Sequence, residues 1–395
     1  MRRLVPPAVL VGMLLAFAPG ANADALFVLK GRGWGHAIGM SQWGAQGMAL
    51  RGVSYRDILG HYYRGTSLGP PPSGSSNRRV LLDSGRRWLI LSADAPFTVG
   101  ARRLDGHKNY KLVPTADRKV KIVGVGKVGN PALFERTTAW LEVDGRPYRG
   151  ALQVRVFRSR LAVVNIVGLN HYLYSVVPGE MPAGPTGFAN EALKAQAVAA
   201  RSFAVRSHLT SWYDLYDDTR SQVYEGVAGE TSRATTAVNR TGSDVVLFGG
   251  AVAQTFYSSS SGGRTSTPKD AWGASATNLS YLQSVADPDD LIAANPRRTW
   301  RELRTPGQMK SLLGLSRIPN DGRALRNSSD RVKALTMSGP GWVQTVAPDG
   351  GDKFRSILNI NSNRFWLGLL RLTASDRRVE WGQPSTLFAR VRALS

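Results

Sequence analysis

One segment limits the possible folds more than any other. In Asn190–Tyr213, Leu193, Ala197, Ala200, Ala204 and His208 recur at three- to four-residue steps, with Glu191, Lys194 and Arg201 elsewhere around the turn. Ala192, Ala195, Ala197, Ala199, Ala200 and Ala204 make it a strong helix former with a slim surface, able to approach a sheet closely. Before it, from Arg79 to Tyr172, the pattern is short apolar runs bounded by Gly, Pro and Asp. Trp88–Ser92, Phe97–Val99, Lys119–Val125, Ala139–Val143, Ala151–Phe157 and Leu161–Val167 read as strands, and Asp144-Gly145 as a hairpin turn. After it come a Gly-broken hairpin at Asp244–Tyr257, a short helix at Pro306–Leu313 capped by Thr305, and mixed short elements over Gly341–Phe365. No fixed-period repeat is present. Segregated helices and mixed strands predict an α+β fold.

The ends of this pattern suggest its organisation. Arg2 and Arg3, the apolar run Ala8–Ala18 and the small residues Ala21-Asn22-Ala23 read as a cleavable export leader over 1–23, too short to span a bilayer comfortably. A retained membrane anchor is the other reading. Residues 24–66 form a Gly-rich unit expected to pack on the main domain, ending in a short helix at Tyr55–Tyr63. Residues 67–78, rich in Pro, Gly and Ser, read as a linker to a main domain over 79–395. The chain has no cysteine, which excludes disulfides, thiolate metal sites and a cysteine nucleophile. With 51 Lys+Arg against 28 Asp+Glu, the net charge is +23. Outside the cytoplasm that favours anionic envelope polymers or lipid head groups, and no recognition motif argues for nucleic acid.

The densest chemical signal is Val176-Val177-Pro178-Gly179-Glu180-Met181-Pro182. Two prolines place Glu180 on a stiff loop, among apolar side chains that disfavour its ionised form and raise its pKa. A carboxyl group so tuned is a general acid for a glycosidic oxygen. The plain alternative is a structural loop glutamate.

Several stretches together resemble the SpoIID/LytB family. They are Val163-Val164-Asn165, Tyr172 through Pro182, Glu191 through Ala204, Ser221-Gln222-Val223-Tyr224, and Thr255-Phe256-Tyr257-Ser258-Ser259-Ser260-Ser261-Gly262-Gly263-Arg264-Thr265, in family order. The resemblance implies an α+β SpoIID-like domain acting on peptidoglycan glycan strands. One branch comprises lytic transglycosylases and the other amidase enhancers, whose partner is a cell-wall amidase. It implies Glu180 as the catalytic acid and base. Arg201, Gln222, Tyr224, Tyr257, Ser259, Ser260, Gly262 and His36 would be substrate-binding residues, and no cofactor is implied. Read alone, Arg201 is equally a surface charge or helix-end partner, and Tyr257 a half-buried core ring. A lytic transglycosylase needs one carboxyl group, whereas a hydrolase wants a second. Asp217, Asp218 and Glu225 are available for that, or are simply solvated turn residues.

Two features depart from the family pattern. Some members hold zinc through cysteine and histidine near the Gln-Val-Tyr motif; Asp217-Asp218-Thr219-Arg220-Ser221 has neither, so no metal is expected. The segment Gly31 through Ala45 resembles a motif that usually ends the domain, yet here it comes first, with Ala37 where glycine is usual. The stretch from Phe354 to Phe365 resembles what normally precedes that motif, so the order looks circularly permuted. The serines of Ser258–Ser261 do not sit in the Gly-x-Ser-x-Gly elbow of a serine hydrolase, and Gly31–Gly39 lacks the ending of a phosphate loop.

Overall fold

The computed structural model describes residues 25–72, 76–136, 138, 140–276, 279–374 and 387–394. The expected leader lies outside them. The chain is α+β: helices gather around the Ala-rich segment, and strands form separate sheets.

The Ala-rich helix runs Asn190–Arg206, stopping short of Tyr213. Beyond it, side chains satisfy the backbone in a turn. Ser207 Oγ donates to the Phe203 carbonyl (2.8 Å), and Thr210 Oγ1 accepts the N–H groups of Trp212 and Tyr213 (3.2 and 3.0 Å). His208 therefore leaves the helix and meets Asp214 at 3.1 Å. The neighbours of the helix also differ from expectation. They are chiefly the helices Gln42–Leu50, Tyr55–Tyr62, Leu169–Glu180 and Ser232–Arg240, with the short strands Val245–Phe248 and Ala251–Val252. Small alanine side chains let four helices close on one axis, and Ala192, Ala195, Ala197, Ala199, Ala200 and Ala204 are all fully buried.

Before this helix the strands follow the sequence pattern. A seven-stranded sheet contains Asn77–Arg86, Arg160–Gly168, Ala151–Phe157, Ala132–Arg136 and Phe97–Val99. A six-stranded sheet contains Tyr110–Pro114, Leu89–Ala93, Leu141–Val143 and Arg146–Tyr148. Asp144 and Gly145 both take positive φ (50° and 80°), as a tight hairpin turn demands. The helix Pro306–Leu313 has its full capping box at Thr305 and Gln308.

A four-stranded sheet was not anticipated. It joins Trp300–Arg304, Ala25–Gly31, Phe365–Ala374 and Leu387–Ala393, with Gly31 opposite Phe365. Phe27 and Leu29 point into a second core with Leu335, Met337, Phe354, Phe365 and Leu367. Ser67–Gly69, at the start of the expected linker, is a strand paired with Val245–Leu247.

From this sheet the chain enters the Gly-rich segment. Met40-Ser41 pairs in parallel with Tyr257-Ser258, flanked by bridges Trp34–Ser260 and Ile38–Ser266. Ala37 sits at φ 58°, so the loop keeps a glycine-like conformation at a cost of about 1–2 kcal/mol. Gly39, at φ 69°, lies so close to Phe256 that any Cβ would strike its carbonyl. Gly39→Ala is expected to lose about 2–5 kcal/mol, combining left-handed strain with a forced backbone shift. The check is the urea midpoint, and an unchanged value would contradict this packing.

Candidate active site

Glu180 ends the helix Leu169–Glu180 rather than lying on a loop. Pro178 lies inside the last turn, where its ring fixes φ but removes one helical N–H donor. Met181, preceding Pro182, is forced extended (φ −131°, ψ 135°), and that stops the helix. Gly179 lets the next segment come close: a Cβ there would lie 2.9 Å from the Val223 carbonyl oxygen. The Val223 N–H consequently reaches Glu180 Oε1 at 3.0 Å.

The carboxyl group is largely buried, and burial raises its pKa. The hydrogen bonds from Val223 N–H and the Gln42 side chain oppose that rise without cancelling it. The negative end of its own helix adds to the cost of ionisation. A proton is thus retained above the ordinary glutamate range.

Glu180 opens into a cavity of ≈ 340 Å³ lined by His36, Phe203, Thr219, Arg220, Ser221, Phe256, Tyr257 and Trp272. His36 Nδ1 accepts the Ile38 N–H at 2.9 Å, so Nε2 carries the ring proton. Burial first, then Arg355 and Arg331, push its pKa down to about 3, leaving a neutral donor rather than a proton shuttle. Its ring centroid is 5.3 Å from that of Trp272, which in turn meets Phe256 edge-on at 4.8 Å. Behind the cavity, the Tyr172 hydroxyl donates to Gln222 Oε1 (3.1 Å), and Gln222 Nε2 donates to the Tyr257 hydroxyl (2.8 Å). Burial and the nearby Glu180 raise the Tyr257 pKa well above the usual phenol range. Tyr257 keeps its proton and can donate it.

Of the residues singled out in the sequence, Glu180, His36 and Tyr257 share this cavity, with Gln222 directly behind. The others lie elsewhere. Arg201 is fully buried, donating to the Asp244 and Val238 carbonyls, Thr241 Oγ1 and Asn170 Oδ1. It closes the C-terminal end of Ser232–Arg240, a cation where the helix dipole is negative, and is spent on structure. Tyr224 is a core ring whose hydroxyl donates to Asn165 Oδ1 at 2.7 Å. Ser259 meets the Trp43 N–H through its backbone carbonyl (3.0 Å) and is not among the cavity residues.

Ser260 and Gly262 are buried and bind Asp290 Oδ2 through Oγ (2.7 Å) and N–H (2.8 Å). The polar groups of Arg201, Tyr224, Ser260 and Gly262 are thus engaged inside the protein rather than presented to the cavity.

Sequence reasoning missed Gln42, the ring of Trp272, and the pair Asp287 and Asp290. Gln42 was legible as part of the same Gly-rich motif as His36. The two aspartates lie in Asp287-Pro288-Asp289-Asp290, which resembles an ordinary solvated turn. Among the described residues, no three His, Cys, Asp or Glu side chains are disposed to hold a metal ion. Asp218 is bound by Arg220 (2.7 Å).

The SpoIID family model, described as stage II sporulation protein, matches residues 158–248. Stage II sporulation protein D of Bacillus subtilis (strain 168) is 30% identical over 237 residues, 54% of this chain and 64% of that protein. The amidase enhancer of the same organism is 36% identical over 116 residues, 29% of this chain and 16% of its own length. An uncharacterized protein of Brachyspira hyodysenteriae is 32% identical over 218 residues, 52% of this chain and 57% of that protein.

Over residues 158–248 the chain is similar to the SpoIID family.

It spans less than two thirds of each of these relatives. No solved structure matches it. Within the family match fall Glu180, the Ala-rich helix and Gln222, while His36 and Tyr257 lie outside it.

The buried aspartates give a pH-dependent signature. Burial, then Asp290, raise Asp287 to about 7. Its folded pKa exceeds its unfolded one, so its stabilising contribution is full below about 4 and is lost as pH rises through about 7. His36, held neutral, acts in the opposite direction over part of that window. The Asp287 share must therefore be read against Asp287→Asn. The stability of wild type relative to that variant should fall by a few kcal/mol between about pH 4 and pH 7. Parallel melting curves across that range would contradict the assignment.

Proposed function

We propose that the chain is an exported peptidoglycan lytic transglycosylase, cutting glycan strands between N-acetylmuramic acid and N-acetylglucosamine. The observation that supports this best is that, among the described residues, Glu180 is the one carboxylate lining its cavity. Asp217 borders a different groove, Asp218 is ion-paired with Arg220, and Glu225 is exposed. Hydrolysis with a general base would call for a second carboxylate across the bond, whereas intramolecular ring closure does not.

The protonated Glu180 gives its proton to the glycosidic oxygen as the bond from C1 of the muramic residue breaks. The resulting carboxylate takes the proton of the same sugar's C6 hydroxyl, whose oxygen bonds to C1. A 1,6-anhydro ring closes, no water is consumed, and Glu180 ends protonated as it began. Val223 N–H and Gln42 stabilise the transient carboxylate. The Tyr257 hydroxyl offers its proton toward sugar oxygens, His36 is anchored on the Tyr257 backbone, and the Trp272, Phe256 and Phe203 rings give the cavity its apolar wall. The apolar stretch after Arg2 and Arg3 supports export, and the charge of +23 supports retention by anionic wall polymers.

A second reading is favoured by the similarity to an amidase enhancer: the site grips glycan without cutting it, and the partner is a cell-wall amidase. One variant separates the two. Glu180→Gln keeps the side chain's size but cannot exchange a proton. It is expected to fold, bind strands and lose at least about 10²–10⁴-fold in cleavage of purified sacculi, whereas Asp217→Asn stays near wild type. Full turnover by Glu180→Gln would move the active site elsewhere. A wild type that binds strands without cutting them would establish the enhancer reading.

A further inference from the structure

A second groove, of ≈ 830 Å³, lies between the six-stranded and seven-stranded sheets. Trp88 stands on its wall, 47% exposed, at the turn joining Asn77–Arg86 to Leu89–Ala93. Lys111 Nζ, 5.2 Å from the ring centroid, steadies it. An exposed tryptophan in a concave site is unusual for a residue with no partner to meet.

The polar lining is equally ordered. Arg86 binds Asp83 (2.8 Å) and Asp144 (2.7 Å), and Ser92 Oγ donates to Glu142 (2.9 Å). Each carboxylate keeps lone pairs free to accept hydroxyl protons. In a chain of charge +23, this groove is lined by Asp83, Glu142, Asp144 and Asp217 against Arg86 and Arg146. That balance does not suit an anionic polymer. A flat ring beside pre-oriented carboxylates suits a polyhydroxylated sugar.

The groove is also tied to the Glu180 cavity. One turn serves both: Asp217 lines the groove, and Thr219, Arg220 and Ser221 line the cavity. Beneath that turn runs a stack of rings. Tyr148 of the groove meets Tyr224 at 6.2 Å, Tyr224 meets Tyr172 at 5.0 Å, and Tyr172 reaches Tyr257 of the cavity through Gln222.

We propose that this groove is a remote subsite for the same glycan strand, with Trp88 as its stacking platform, so that the protein selects long strands over short ones. The proposal rests on the reading that a glycan lies at Glu180, but it does not require cleavage. The test uses the full chain carrying Glu180→Gln, so that bound strands persist. Its affinities for peptide-free glycan strands and for a tetrasaccharide of the same repeat are compared by calorimetry.

The long strands should bind more tightly. Adding Trp88→Ala should weaken long-strand binding roughly three- to tenfold, the loss of one aromatic stacking contact, and so shrink the long-to-short ratio. Trp88→Phe should restore most of it. Equal affinity for both lengths, or a ratio unchanged by Trp88→Ala, would overturn the subsite. So would equal weakening for both lengths, which would make the ring structural. Binding of neither ligand would overturn the glycan reading itself and the subsite with it.

Discussion

Two buried carboxylates hold together the parts of the chain that make the cavity. Asp290 accepts from Ser41 Oγ (2.7 Å) and Ser261 N–H (3.1 Å) on one oxygen, and from Ser260 Oγ and Gly262 N–H on the other. Asp287 accepts from the Tyr62 hydroxyl (2.8 Å) and Ser261 Oγ (2.7 Å). These donors come from two stretches far apart in the chain, one containing Ser41 and Tyr62 and the other Ser260–Gly262. Each donor left unmet in a buried site costs about 1–3 kcal/mol, so the arrangement resists partial rupture. Its consequence is register: with Ser41 fixed to Ser260 and Ser261, Met40-Ser41 lies against Tyr257-Ser258, and His36 and Tyr257 face Glu180. The serines and glycine of the Ser-Gly-Gly loop therefore serve the site by shaping it.

Glu180 combines burial with limited stabilisation of its charge. A fully exposed glutamate would ionise too readily to protonate an ether oxygen, and one sealed in the core could not reach a ligand. Helix termination at Met181 and the close approach permitted by Gly179 leave it between these extremes, with two donors waiting for the carboxylate. That balance suits a group that must give a proton and then take one back.

Local elements were legible where local energetics decide them. The strand Ala151–Phe157, the hairpin at Asp144-Gly145 and the helix Pro306–Leu313 follow from alternation, turn chemistry and a capping box. The helix Ser232–Arg240 was missed because its Ser, Thr and Asn residues are weak helix formers, and only Ala234, Ala237 and Val238 are buried. The four-stranded sheet was missed because its strands are brought together from both ends of the chain, and inward-facing Phe27 and Leu29 carry no mark of their partners. Within the site, Glu180, His36 and Tyr257 were visible as motif residues. For Arg201, spacing cannot reveal that its guanidinium turns inward, onto the Val238 carbonyl near the end of another helix and the Asp244 carbonyl beyond it.

The central claim is that one carboxyl group carries both proton transfers and that no water enters the product. Its most direct test is to incubate the wild-type protein with purified sacculi in heavy-oxygen water and to analyse the new glycan ends by mass spectrometry. The account predicts 1,6-anhydro-muramic ends without incorporated label. Reducing ends carrying one heavy oxygen would contradict it.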